Sequence, residues 1–270
     1  MKLNKRFLLI SITAAAVVLS GFSQIPAQTK DSAEILTVST KERRSIEIVI
    51  KDYLLANPSI IRDAMQALQD QERREAAERA AENMKSYKQA IFQDPDSPVV
   101  GNPNGDVSVV VFFDYNCGYC KKTLPELAGI IANDPSLRVV YKEFPVLGAR
   151  SLIAAQAALA AAKQGKYAEF HDRLMNSESA DEESIKVISD AIGLNYERLQ
   201  KDMADPALNE SLARNHNLAD SLGIGGTPSY IVGDQIIPGA IDAASLEQVI
   251  ENVRAEQLRS KTGSTVAVAK

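Results

Sequence analysis

The sequence contains few of the residues that bind metals or build disulfide frameworks. Only two cysteines, Cys117 and Cys120, and two histidines, His171 and His216, occur among 270 residues. Two cysteines allow at most one disulfide within the chain, which excludes a fold that is held together by several disulfides. A structural zinc site needs about four ligands, and the two histidines lie in separate predicted helices, away from the cysteines. We therefore expect no metal site and interpret both histidines as ordinary helix residues.

The sequence also lacks a dense block of lysine and arginine after its first few residues, and its formal charge is −5. Such a chain is poorly suited to binding nucleic acid, so folded proteins or small thiols are the expected partners. No apolar stretch beyond the N-terminal one is long enough to cross a membrane. The length of 270 residues favours one main domain with an accessory segment.

The N-terminus has the pattern of an export signal. Lys2, Lys5 and Arg6 precede an uncharged stretch over 7–19, and small residues follow it. Because this stretch is short for a membrane span, we predict a cleaved signal peptide at residues 1–27. An uncleaved membrane anchor is the alternative. Export matters to the cysteines because an oxidising compartment permits disulfides.

The two cysteines form a Cys-x-x-Cys motif between a predicted strand at 107–113 and a helical pattern. Chain-entropy stabilisation is small for so short a loop, so the pair suits reversible exchange better than a structural role. Free N–H groups and the positive dipole end at a helix start favour a thiolate there. We predict Cys117 as the exposed nucleophile and Cys120 as the resolving thiol, with Gly118 and Tyr119 forming their environment.

Two lysines follow the motif. We interpret Lys121 and Lys122 as solvated surface residues, because exposed charges interact weakly. The two thiolates could also bind Cu(I), for which soft sulfur ligands are suited. Copper binding therefore stays open as a second activity.

The pattern after the motif predicts an α/β domain with a helical insertion. A second strand at 137–144 follows the motif helix, and a strand–helix–strand unit makes the two strands parallel. Helical patterns fill about 149–222. Strands return at 229–232 and 235–237, where Gly233-Asp234 between them indicates a tight hairpin.

Residues 28–95 form a separate helical segment in this interpretation. Ile46, Val49, Ile50 and Tyr53 recur at helical spacing, and a second, longer helix is predicted from Pro58 to about Phe92. These helices cannot bury an apolar stripe alone, so we predict that residues 41–92 associate with the same segment of other chains. Packing onto their own domain is the alternative. The unpatterned residues 259–270 are assigned to a flexible tail.

Three motifs together resemble the DsbA-type thiol-disulfide oxidoreductases of the bacterial envelope. They are the stretch around the cysteines at 112–121, Tyr141–Pro145, and Gly225–Ser229. The resemblance implies a thioredoxin fold with an inserted helical subdomain, which we place at 96–258. It also implies a periplasmic location, exported cysteine-containing proteins as substrates, and a membrane redox partner. No cofactor beyond the redox-active cysteine pair is expected.

The resemblance also implies roles for residues outside the cysteine motif. It implies that Pro228 is a cis proline whose loop, with Thr227, lies beside Cys117 and pairs with substrate backbone; an ordinary turn is the alternative. Many thioredoxin-fold enzymes have a buried acid six residues before the first cysteine, where this chain has Val111. Proton transfer at the second cysteine would then need water or another group, such as Glu143.

The N-terminal segment resembles that of the ScsC branch, which is linked to copper tolerance. The similarity rests on 53–58 and 64–68. In that branch the segment can mediate trimerisation, and oligomeric members can act as disulfide isomerases. We therefore favour an isomerase in a trimer. The alternatives are a monomeric DsbA-like oxidase and, from another class, a copper-binding or chaperone-like protein.

Overall fold

The computed structural model describes the backbone of residues 39–267 and the side chains of residues 39–260. The predicted signal peptide lies outside the described residues. The chain divides into two units with the boundary between Asp63 and Ala64. In the described residues, no helix is long and apolar enough to span a membrane.

A five-stranded mixed sheet, in the order β1-β3-β2-β4-β5, forms the centre of the second unit. The central strands β2 and β3 are parallel, and every other pairing is antiparallel. This confirms the predicted parallel pair and the predicted hairpin. The strands are β1 (Val99–Gly101), β2 (Val107–Phe113), β3 (Leu137–Glu143), β4 (Ser229–Val232) and β5 (Gln235–Pro238).

Ten helices occur in the described part of the chain, five of them in the region predicted as a helical insertion. The thioredoxin fold class and its insertion are thereby confirmed. The helices are α1 (Thr40–Ala56), α2 (Ser59–Ser86), α3 (Lys88–Phe92), α4 (Gly118–Asn133), α5 (Ala149–Ala162), α6 (Tyr167–Asn176), α7 (Glu182–Ala191), α8 (Tyr196–Met203), α9 (Pro206–Ser221) and α10 (Ala243–Ala267).

Both faces of the sheet are covered, because alternate residues of β2 point to opposite sides. Val111 and Phe113 belong to the larger core, which includes residues of α4, α5 and α6. Val110 and Phe112 belong to a second core with residues of α3 and α9. Burial on both faces explains why β2 is a continuous apolar run rather than an alternating one.

The helix α1 has a different character. All of its residues lie in the described range, and none is buried. Ile46, Val49, Ile50 and Tyr53 are between 49% and 66% exposed. The capping box formed by Ser39 and Glu42 fixes where this helix begins.

At the other end, α10 extends to Ala267 and so includes residues 259–267, which the sequence analysis assigned to a flexible tail. Residues 259–270 show no apolar pattern at helical spacing, which is the main sequence signal of a helix. Ser, Thr, Gly and Val in 260–266 also have low helix propensity, so the sequence did not indicate that the helix continues.

Candidate active site

Cys117 is the N-cap residue of α4, at the point where the chain leaves β2. Its Sγ donates a hydrogen bond to the carbonyl oxygen of Thr227 over 3.3 Å. The Thr227–Pro228 peptide bond is cis. The expectation from the resemblance is therefore correct on both points, and residues separated by 110 positions form one site.

The cysteines differ in accessibility less than we predicted. Cys117 is 7% exposed and Cys120 is fully buried. The prediction of an exposed Cys117 is thus wrong, because the residue packs in the larger core and contacts the Thr227 loop. Burial raises the pKa of the Cys120 thiol, and negative charge on Cys117 raises it further. Cys120 is consequently held as a neutral thiol.

The two residues between the cysteines face solvent. Tyr119 is 68% exposed, and an added Cβ at Gly118 would meet no atom within 4 Å. The backbone carbonyl of Tyr119 accepts a hydrogen bond from Thr123 Oγ1 at 3.0 Å, within the first turns of α4. An approaching protein would therefore meet Gly118 and Tyr119 before it reached the sulfur atoms.

Asp114, which we did not single out from the sequence, organises the chain just before the motif. Its buried carboxylate accepts hydrogen bonds from Asn116 N–H at 2.7 Å and Ser151 Oγ at 2.7 Å. It also accepts from the N–H groups of Val146 and Leu147 at 2.9 and 3.0 Å. One side chain thus joins the approach to Cys117 with the loop after β3. An acid directly after a buried strand was the available signal.

Lys121 is not the solvated surface residue that the sequence analysis predicted. It is half-buried, and its Nζ donates to the carbonyl oxygens of Leu174, Met175 and Ser177 at 3.2, 3.4 and 2.8 Å. These carbonyls lie at the C-terminal end of α6, where a cation is favourable. Lys122 is exposed, as predicted.

A buried polar cluster centred on Glu143 lies at the end of β3. Glu143 Oε1 accepts hydrogen bonds from the hydroxyls of Tyr115 and Tyr167 at 3.1 and 2.8 Å. The Tyr115 hydroxyl also contacts His171 Nδ1 at 2.9 Å. Among the residues that the structure describes, Glu143 Oε2 has no hydrogen-bond partner.

Burial dominates the electrostatics of this cluster. It raises the pKa of Glu143 to about 8, although the two tyrosine hydrogen bonds oppose the shift. It lowers the pKa of His171 to about 3, so this imidazole is neutral. His171 is a core residue that packs on Tyr141 and Tyr167, whereas His216 is an exposed partner of Asp220.

Comparisons with known proteins agree with this geometry. A family model described as the DSBA-like thioredoxin domain matches residues 108–251. A second model, described as the N-terminal domain of the copper resistance protein ScsC, matches residues 42–75.

Several solved structures are similar to this chain. A thioredoxin-like oxidoreductase from Silicibacter pomeroyi DSS-3 is 45% identical, with 62% of this chain and 97% of that chain covered and a TM-score of 0.60. Proteus mirabilis ScsC in a transitional conformation is 30% identical, with 81% and 99% covered and a TM-score of 0.61. A periplasmic thioredoxin-like protein from Salmonella enterica serovar Typhimurium is 32% identical, with 62% and 95% covered and a TM-score of 0.57.

The first curated relatives are much longer proteins. The Na(+)/H(+) antiporter NhaA 3 of Salinispora tropica is 27% identical over 175 residues, which are 63% of this chain and 27% of that protein. The chain thus spans about a quarter of the length of such relatives.

Proposed function

The chain belongs to the DsbA-like thioredoxin family, with an N-terminal segment of the ScsC type, and on that basis we propose that it is a thiol-disulfide oxidoreductase acting on protein substrates. The hydrogen bond between Cys117 Sγ and the Thr227 carbonyl carries this proposal. It places the sulfur against a loop backbone that can pair with an extended substrate segment, as the family resemblance implies.

The proposed exchange uses the two sulfurs in sequence. A substrate thiolate attacks Cys117 of the oxidised pair, so a new disulfide forms to the substrate as the Cys117–Cys120 bond breaks. A second substrate thiolate then attacks the substrate sulfur of this mixed disulfide. The substrate leaves with a disulfide, and both cysteines of the enzyme are left reduced. The reverse sequence reduces a substrate disulfide.

We favour isomerisation over simple oxidation because the exposed apolar residues of α1 offer a means of assembly. Several active sites in one particle, kept reduced, can attack a wrong disulfide and let the substrate pair again. The match to the ScsC N-terminal domain supports an oligomer through residues 41–92, with a trimer favoured. A monomeric dithiol oxidase is the alternative.

The similar proteins also support a location for this chain. The similar Salmonella protein is described as periplasmic, and this chain begins with the pattern of an export signal. We propose a periplasmic protein that exchanges disulfides with exported proteins and depends on a membrane redox partner.

The test is recovery of a substrate with scrambled disulfides. The reduced protein should restore activity to wrongly bridged ribonuclease, and Cys117→Ser should abolish the effect. Lys122→Ser, at an exposed position in the same helix, is the matched control and should behave as the parent protein. Equal recovery with the Cys117 variant would overturn the proposal.

A copper-binding function is the second candidate, supported by the match to a copper resistance domain. In this case both sulfurs act as Cu(I) ligands. Competition with a Cu(I) chelator would measure it, with the Cys117→Ser/Cys120→Ser double variant as the control. Cu(I) retention that is equal in this variant would exclude the cysteine pair as the site.

A further inference from the structure

A cavity of about 230 Å³ lies between the helices α4 and α6 and the strand β3. Apolar side chains form most of its walls, including Leu124, Pro125, Ile131 and Met175. The described residues that line it include neither Cys117 nor Cys120, so thiol-disulfide exchange does not account for the cavity. An apolar cavity of about 150 Å³ holds one benzene molecule, so this cavity has room for an aromatic ring with a small substituent.

Two buried side chains bring unpaired polar atoms to this cavity. His171 and Tyr141 both line it and are 5% and 3% exposed. Among the described residues, His171 Nε2 and the Tyr141 hydroxyl have no hydrogen-bond partner. The fully enclosed side-chain atoms without a partner are Glu143 Oε2 and Asp202 Oδ2 in that part of the chain, so the other two atoms remain accessible from the cavity. The rings of His171 and Tyr141 lie 4.2 Å apart, on one wall.

The hydrogen bonds of the neighbouring Tyr115 determine which imidazole nitrogen carries the proton. The Tyr115 hydroxyl donates to Glu143 Oε1 at 3.1 Å and lies 2.9 Å from His171 Nδ1. Because the hydroxyl proton is already used, Nδ1 carries the imidazole hydrogen and donates it to Tyr115. Burial lowers the pKa of His171 to about 3, so the ring is neutral and Nε2 is an acceptor. The cavity therefore offers an acceptor on His171 and a hydroxyl on Tyr141.

The lining of the cavity favours a neutral ligand. The described lining residues include no lysine or arginine, and the acidic residue Asp172 is already paired. Asn176 Nδ2 donates to the backbone carbonyl of Asp172 at 2.8 Å and to its Oδ1 at 3.2 Å. A charged group would therefore enter an apolar cavity without a free partner, which is costly. The unpaired groups on His171 and Tyr141 match a neutral hydroxyl instead.

We propose that this cavity is a binding site for a small neutral aromatic alcohol, such as a phenol with one alkyl substituent. The ring packs against the apolar walls, the ligand hydroxyl donates to His171 Nε2, and the Tyr141 hydroxyl donates to the ligand oxygen. Binding gives partners to two buried polar groups and removes an apolar ring from water. The site requires no thiol, so it does not depend on the oxidoreductase function proposed above.

The test is titration calorimetry of the full chain with 4-methylphenol and, separately, with toluene. Toluene has the same ring and methyl group but lacks the hydroxyl. We expect one molecule of 4-methylphenol to bind per chain, about tenfold more tightly than toluene, because toluene leaves His171 and Tyr141 without partners.

Three variants locate the binding. Ala128→Leu enlarges an exposed α4 residue that lines the cavity and should weaken 4-methylphenol binding about tenfold or more. Ala213→Leu makes the same change at an exposed position of α9 outside the cavity and should bind like the parent. Tyr141→Phe keeps the ring beside His171 but removes the hydroxyl, so it should weaken 4-methylphenol binding and leave toluene binding unchanged. Circular dichroism establishes that each variant is folded.

A folded parent protein that shows no saturable binding of 4-methylphenol would overturn the inference. Binding that Ala128→Leu leaves unchanged would also overturn it, because the ligand would then occupy another place. Equal affinities of the parent for 4-methylphenol and toluene, or an unchanged ratio of the two in Tyr141→Phe, would likewise overturn it, because the cavity would then not recognise the hydroxyl.

Discussion

Cys117 Sγ and the carbonyl oxygen of Thr227 lie 3.3 Å apart, although 110 positions separate the two residues. This contact joins the N-cap residue of α4 to the loop that precedes β4. Cys117 is 7% exposed, and its sulfur lies against the backbone of this loop. The geometry therefore suits exchange with an extended protein segment.

The buried cation Lys142 predicts a large effect on stability. Its fully buried Nζ donates to Asp94 Oδ2 at 2.9 Å, Ser97 Oγ at 2.7 Å and the Ala90 carbonyl at 2.7 Å. Lys142→Met should lower the free energy of unfolding in urea by about 3 kcal/mol, because it leaves Asp94 without its charge partner. Lys186→Met, which breaks an exposed pair with Asp190, is the control and should cause no measurable change. Equal effects of the two substitutions would contradict this account of the buried pair.

The three hydrogen bonds of Lys121 give a second prediction. Lys121→Met removes the cation that caps the end of α6, and we expect a loss of about 1.5–3 kcal/mol in the free energy of unfolding. Lys122→Met removes the same charge from the next, exposed position and should leave unfolding unaffected. If both variants unfold like the parent, the contact between α4 and α6 is not stabilising.

The pKa of Glu143 predicts how stability varies with pH. Because this pKa rises from 4.5 to about 8 on folding, the native state keeps a proton that the unfolded state releases. Stability relative to Glu143→Gln should therefore decline as pH rises from about 4.5 to 8. His171 acts in the opposite direction, but only below its unfolded pKa of 6.5, so unfolding between pH 6.5 and 8 isolates Glu143. If the free energy of unfolding of the parent, relative to that of Glu143→Gln, instead increased with pH over this range, the raised pKa would be contradicted.

The exposed face of α1 predicts the state of assembly. Val49 and Tyr53 are 66% and 59% exposed. If this face joins chains, Val49→Lys/Tyr53→Lys should lower the mass measured by light scattering from that of an oligomer to that of one chain. Glu47→Lys, at an exposed polar position of the same helix, should leave the mass unchanged. A parent protein that is already a monomer would refute the use of α1 proposed here.

Local patterns in the sequence were sufficient for much of the fold. The buried runs of β2 and β3, the hairpin of β4 and β5, and the helical insertion all follow from periodicity and turn residues. The strand β1 was missed because its three residues are too few to show a period. The α2 helix ends at Ser86, and a turn at Tyr87 separates it from α3, where one continuous helix was predicted.

Fewer features of the candidate active site could be predicted from local sequence patterns. The motif itself identified Cys117 and Cys120, and family resemblance supplied Thr227 and Pro228. The partners of Asp114 and Lys121 lie 32 to 56 residues further along the chain, except for the local contact with Asn116. No local pattern encodes contacts of that range, so their roles became visible only in the fold.

The most direct test of thiol-disulfide exchange is to trap its covalent intermediate. Cys120→Ser lacks the resolving thiol, so the reduced variant mixed with a peptide disulfide should accumulate a mixed disulfide on Cys117. Mass spectrometry of the digested protein should find the peptide on the fragment containing Cys117, and the parent protein should release it. The absence of any adduct on Cys117 of the folded variant would contradict the account.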